Sequence, residues 1–181
     1  MTAMQETSLA ELRAQRGYKG LSISADRSSG VIGTMTLWET EADRDASDSA
    51  LSKLREDTRA QFASDMTIET FEEGVVEFSR APEVGSSLMV TRISMDPAKI
   101  GENVEHFKGE VLPQIKATPG FRTLRTMIDP ETGNGIVGSV WDDEQSMQAA
   151  ADAAMARRPD ATARGVNFGE TSFREILLFD M

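Results

Sequence analysis

The segment from Gly17 to Trp38 recurs without a gap at Gly120 to Trp141, 103 residues further on. The same displacement lays Leu9 on Leu112, Ala14 on Ala117, Leu21 on Leu124, Asp26 on Asp129, Gly30 on Gly133 and Glu41 on Glu144. Tyr18 falls on Phe121, Leu12 on Ile115 and Leu37 on Val140, like for like. Agreement at so many positions under one offset marks an internal duplication. A chain of 181 residues then holds two units of about 80–100 residues each. Residues 80–86 carry Pro82 and Gly85 where the first copy ends, so the expected division is 1–80, a linker at 81–86, and 87–181.

Periodicity supplies the elements. Residues 1–15 read as a helix, with Ser8 and Glu11 at capping-box spacing and Gly17 as its stop. Residues 18–25 alternate as a strand, 26–30 form a turn and 31–38 the returning strand. Residues 39–62 read as a charged amphipathic helix with Leu51, Leu54 and Phe62 on its apolar side, and 67–78 as a strand interrupted near Gly74. In the second copy, strand 87–95 leads through Asp96 and Pro97, cap then proline, into a helix. Its stripe of Val104, Phe107, Val111 and Ile115 has core-facing spacing. Strands 121–128 and 136–141, helix 143–157 and strand 173–179 complete the order β-α-β-β-α-β, a ferredoxin-like unit.

Under the offset Met1 lies opposite Val104, so the first copy has no counterpart of strand 87–95. That strand belongs inside a ferredoxin-like sheet, and its loss leaves strand edges bare. The expectation is that another segment or another chain fills the place, or that the full gene product is longer, the missing length being roughly 15–25 residues. Homo-oligomers through an open edge of the first sheet are one way to do so.

Charge and composition narrow the function classes. A net charge of −11 with no basic cluster argues against nucleic acid and anionic membranes as partners. No run approaches a membrane span, and the start has no signal-peptide pattern, so a cytoplasmic location is expected. With no Cys and a single His, no thiolate or His–His metal site can form.

The triplets Leu37, Trp38, Glu39 and Val140, Trp141, Asp142 each end a hairpin that starts at Gly then an aromatic residue, and each precedes an acidic, Ala-containing helix. With Pro119, Gly120 and Phe121, this pattern resembles the antibiotic-biosynthesis monooxygenase-like family of dimeric α+β barrels. The resemblance covers nearly the whole chain, once per copy. It implies an α+β fold of two fused ferredoxin-like units forming a pseudo-dimer around a lumen, the first unit lacking its first strand. It implies small-molecule chemistry, in some members oxidation of phenols with no metal or flavin cofactor. The haem-degrading branch fits poorly. Its first-strand Asn is replaced by Thr91, Arg92 and Ile93, and Asp160 stands about where its haem-ligating His would be. The comparable place in the first copy reads Arg59, Ala60 and Gln61.

Arg92 and Arg125 sit on strands among apolar or small residues, where an unpaired charge is costly. On lumen-lining faces they could hold a phenolate, enolate or carboxylate; otherwise they are salt-bridged or exposed. Ser22 and Thr123 could add a polar wall, and Trp38 and Trp141 a platform or a packing wedge. Tyr18 and His106 are the candidates for proton handling. Asp26 and Asp129 precede tight turns and suit local hydrogen bonding better than catalysis. Three readings stand: an oxygenase-like enzyme, a non-catalytic ligand-binding or stress-related domain, and an interaction module using a strand edge.

Overall fold

The computed structural model describes residues 9–62 and 66–181, and for residues 50, 53–55 and 57–62 only the backbone. The elements are β1 (Tyr18–Asp26), β2 (Val31–Trp38), α1 (Glu41–Phe62), β3 (Glu72–Phe78) and β4 (Ser87–Ser94). A 3-10 turn (Pro97–Lys99), α2 (Ile100–His106), a π turn (Phe107–Val111) and α3 (Leu112–Ala117) form the next helical stretch. Then come β5 (Phe121–Ile128), β6 (Asn134–Trp141), α4 (Glu144–Ala163) and β7 (Asn167–Asp180). Residues 9–13 are helical, with Leu9 and Leu12 buried as the apolar edge required. Ser8 of the expected capping box, and the side chains of Leu54, Phe62, Arg59, Ala60 and Gln61, lie outside the described residues.

The strands join in the order β2-β1-β7-β4-β6-β5-β3. The second copy alone has the neighbours β7-β4-β6-β5, all antiparallel, which is the ferredoxin-like order. The fold is α+β, as the duplicated pattern requires. The last strand of the first copy, β3, pairs with β5, from Glu72↔Ile128 to Phe78↔Thr123. Compact packing therefore divides the chain differently from the repeat. One unit comprises Met1–Ile23, Thr34–Glu69 and Phe179–Met181; the other comprises Ser24–Gly33 and Thr70–Leu178.

Four elements depart from their expected bounds; the last strand, β7, begins at Asn167 rather than at 173 because its pairing with β4 extends to Ser94↔Asn167. β3 begins at Glu72 rather than at 67, because its partner β5 ends at Ile128 and leaves nothing for residues 66–71 to pair with. The interruption at Gly74 is present as a shift of register between Glu73 and Val76. In the helical stretch the π turn adds a residue before Pro113, so Leu112 takes the buried place expected of Val111. α4 runs through Pro159 to Ala163. Next to that proline, Arg158 donates to Thr171 Oγ1 at 2.9 Å and lies 4.9 Å over the Phe168 ring.

The core of the second unit lies between sheet and helices. Val75, Leu112, Phe121, Leu124, Trp141, Met147 and Ala150 form it, with Met89, Val104, Phe107, Ile115 and Val137 packed around it. Burying side chains of this size stabilises by roughly 1.5–3 kcal/mol each.

The duplication survives at the level of single hydrogen bonds. Glu39 N donates to Gly17 O, and Asp142 N to Gly120 O. Asp26 accepts from Ser28 and Ser29, and Asp129 from Glu131 and Thr132. Thr40 caps α1 by accepting from Asp43 N, and Asp143 caps α4 by accepting from Ser146 N.

Candidate functional site

Antiparallel partners share a face, and so do residues two apart on one strand. Arg92 on β4 lies opposite Ile136, and Arg125 on β5 opposite Gly138, two residues along β6. Leu88, four residues before Arg92, lies opposite Arg174 on β7. Three guanidinium groups therefore project from one face of the second unit's sheet. Thr123 joins them through its pairing with Val140. Trp141, at an odd position of β6, points to the other face. The duplication does not repeat this arrangement: the counterparts of Arg125 and Ile136 in the first copy are Ser22 and Gly33.

The three cations differ in their surroundings. Arg92 is exposed. Arg125 is largely buried, and Glu73 Oε2 lies 2.9 Å from its Nη1 as an ion pair outside hydrogen-bonding geometry. Burial pushes the Arg125 pKa down, and Glu73 opposes this. Arg174 is half-buried, and its Nε donates to Ser172 Oγ at 3.0 Å. Among the described residues no carboxylate forms an ion pair with it. Its pKa is lowered by burial first and then by the charge of Arg92, while Asp26 and Glu170 pull the other way. A Cβ on Gly33 would collide with Arg174 Nη1, so the absence of a side chain there makes room for the guanidinium. Gly138 leaves space as well: a Cβ there would meet nothing closer than 3.8 Å.

Sequence reasoning passed over Arg174, although the signal was the one that singled out Arg92 and Arg125. It sits on a strand at alternating spacing with Ile176 and Leu178. Arg122 was missed too and has a structural task. It is 9% exposed and donates to Asp142 Oδ1 at 2.6 Å, Ala81 O at 2.6 Å and Glu83 Oε1 at 2.9 Å. It thereby ties the linker between the copies to β5.

The other candidates lie elsewhere. Trp141 is 1% exposed in the helix-side core, edge-on to Phe121, with Nε1 donating to Ser139 Oγ. Trp38 repeats this in the first unit, edge-on to Tyr18 and bonded to Thr36 Oγ1. Ser22 is buried on β1 in that unit. The Tyr18 hydroxyl donates to Asp180 Oδ2 at 2.8 Å, and Arg13 pairs with the same carboxylate. Burial, and then this hydrogen bond, raise the tyrosine's pKa well above its ordinary value. His106 belongs to the helical layer, in an open hollow lined also by Asp160, Ala163 and Arg164. Among the described residues no group of three or more His, Asp or Glu is disposed to hold a metal, and no helix is long and apolar enough to cross a membrane.

No family model matches the chain. Uncharacterized protein Rv2557 of Mycobacterium tuberculosis (strain ATCC 25618 / H37Rv) is 22% identical over 145 residues, covering 80% of this chain and 65% of that protein. The chain thus spans less than two thirds of that relative. Among solved structures, an anthrone oxidase-like protein matches 98% of the chain and 87% of its own length, with TM-score 0.64 and 18% identity. A ferredoxin-fold protein related to antibiotic biosynthesis monooxygenases, from Listeria monocytogenes, covers 97% and 89%, with TM-score 0.56 and 10% identity. The haem-degrading enzyme LmHde of the same organism covers 94% and 93%, with TM-score 0.56 and 12% identity. Identities this low speak for architecture alone: the chain has the ferredoxin-type fold of the antibiotic-biosynthesis monooxygenase-like proteins.

Proposed function

We propose that the chain binds an anionic, phenolic or enolic small molecule against the Arg92–Arg125–Arg174 face and oxidises it in monooxygenase-like fashion. A cytoplasmic location is part of this reading. The observation that carries it is Arg174, a half-buried cation beside a second cation, with no ion-paired carboxylate among the described residues. A ligand anion would supply the missing charge, and paired guanidinium groups suit planar oxyanions. Cationic contacts also lower the cost of ionising a phenol or enol. The resulting carbanion-like carbon can give an electron to O₂; radical recombination then forms a C–O bond. Loss of water from the hydroperoxide leaves a carbonyl, so one CH₂ and one O₂ become C=O and H₂O.

The test is aerobic incubation with a panel of hydroxylated polycyclic aromatics, read by mass spectrometry, beside calorimetric titration of the same compounds. The expected result is oxygenated product with the wild type and none with Arg174→Met. A second reading, a non-catalytic ligand-binding protein, draws support from Tyr18. Its proton is held by Asp180, which makes it a poor base at neutral pH. Binding without added oxygen would favour that reading. Neither binding nor product would remove both.

A further inference from the structure

Gly138 lies in the middle of β6, a strand paired on both sides. Glycine weakens a sheet there, because it forgoes side-chain packing and has more backbone freedom to lose. Its φ is not among the positive ones, so the backbone does not call for glycine. Packing does not call for it either. A Cβ on Gly20, Gly33, Gly74, Gly135 or Gly169, the other strand glycines, would come within 3.3 Å of a neighbouring atom. One on Gly138 would find nothing closer than Leu88 Cδ1 at 3.8 Å. The first copy carries Met35 at the equivalent place, so a strand of this kind accepts a long side chain there.

The recess over Gly138 has defined walls. Val90 on β4 and Arg125 on β5 lie opposite it, and Ile136 and Val140 flank it along β6 on the same face. Two strand spacings set the Cα atoms of Val90 and Arg125 about 9–10 Å apart, and four residues set those of Ile136 and Val140 about 13–14 Å apart. Three walls are aliphatic and the fourth is a guanidinium. Val140 is buried, whereas Val90, Ile136 and Gly138 are half-buried and keep contact with solvent.

We propose that this recess is the ring subsite of the arginine face: one ring of a planar aryl oxyanion lies flat on the Gly138 backbone, its oxygen turned to Arg125. The assignment rests on the reading of that face as the ligand site. A residue without a side chain lets a ligand approach the peptide closely. A flat ring then makes contact over its whole area, which a puckered saturated ring does not. Gly138 is thereby a specificity-determining residue, selecting aromatic over aliphatic anions of equal charge.

The test is titration calorimetry with naphthoate and its saturated analogue decahydronaphthoate, on the wild type, Gly138→Ala, Gly138→Val and Arg174→Met. The wild type should prefer naphthoate by roughly tenfold or more. Gly138→Val should bind the two alike, with Gly138→Ala between, and both should match or exceed the wild type in denaturant titration. Arg174→Met should weaken both anions. Naphthoate binding that Arg174→Met weakens and Gly138→Val leaves intact would overturn the ring subsite and spare the arginine face. Binding of neither anion, or binding indifferent to Arg174→Met, would remove the face and the subsite together. A Gly138→Ala variant clearly less stable than the wild type would mean that packing requires the glycine, and would also overturn the proposal.

Discussion

A guanidinium held half-buried beside another guanidinium destabilises the fold until an anion neutralises it. Arg174→Met removes that charge and keeps most of the apolar stem against β4. Losing the 3.0 Å hydrogen bond to Ser172 Oγ offsets part of the gain. Solvent screens the rest, because the group is not fully buried. The net expectation is unchanged stability or an increase of up to about 1 kcal/mol in denaturant titration. Binding should move the other way. A charge-assisted hydrogen bond is worth about 1.5–3 kcal/mol, so affinity for a hydroxylated aromatic anion should fall roughly 10–100-fold. The same anion should raise the wild-type melting temperature and leave the variant's nearly unmoved. The reasoning fails if Arg174→Met is clearly destabilised while anion affinity is intact. That result would make Arg174 an ordinary structural cation.

Further expectations come from single contacts. Gly120 has φ +82°, and a Cβ there would stand 2.5 Å from Ser146 Cβ, whereas Gly30 has φ +74° with nothing within 4 Å. Gly120→Ala should cost about 2–4 kcal/mol and Gly30→Ala about 1–2 kcal/mol in denaturant titrations, since only the first adds a collision to backbone strain; equal losses would contradict this. Hydrogen bonds and ion pairs from Arg80 and Arg122 hold Asp142 below its ordinary pKa of 3.8. A depressed carboxylate stabilises fully above its unfolded-state pKa and ceases to as pH falls through the folded one. The stability gap between wild type and Asp142→Asn should therefore be present at pH 7 and close below about pH 4, and a gap independent of pH would count against the ion pairs. Tyr18, the single tyrosine, is raised above its ordinary 10.0 by burial and by Asp180. Its neutral form thus stabilises the fold below pH 10 and the contribution is lost above it; phenolate absorbance should appear late and together with unfolding, and a midpoint near about 10 would refute the contact.

How much was legible can be judged from particular residues. The β1–β2 and β5–β6 hairpins were readable because turn chemistry and alternation are local. Asp26 and Asp129 bond backbone amides two and three residues on, so their neighbours alone identify them. Arg92 and Arg125 were readable as charges on apolar strands, but not that they share a face, since this depends on registers through β6. The π turn that exchanged Val111 for Leu112 was not readable, because one inserted residue leaves no mark in composition.

The amino-acid order by itself determined the duplication, the order of strands and helices, and the α+β class, because each follows from offsets and periods a few residues long. It also determined that this sequence offers no thiol. Only the tertiary structure decided that β3 pairs with the other copy's β5, that Arg174 joins Arg92 on one face, and that Trp141 serves the core. These depend on which strand lies beside which, and pairings between distant segments are selected by packing of the whole sheet rather than by any local pattern.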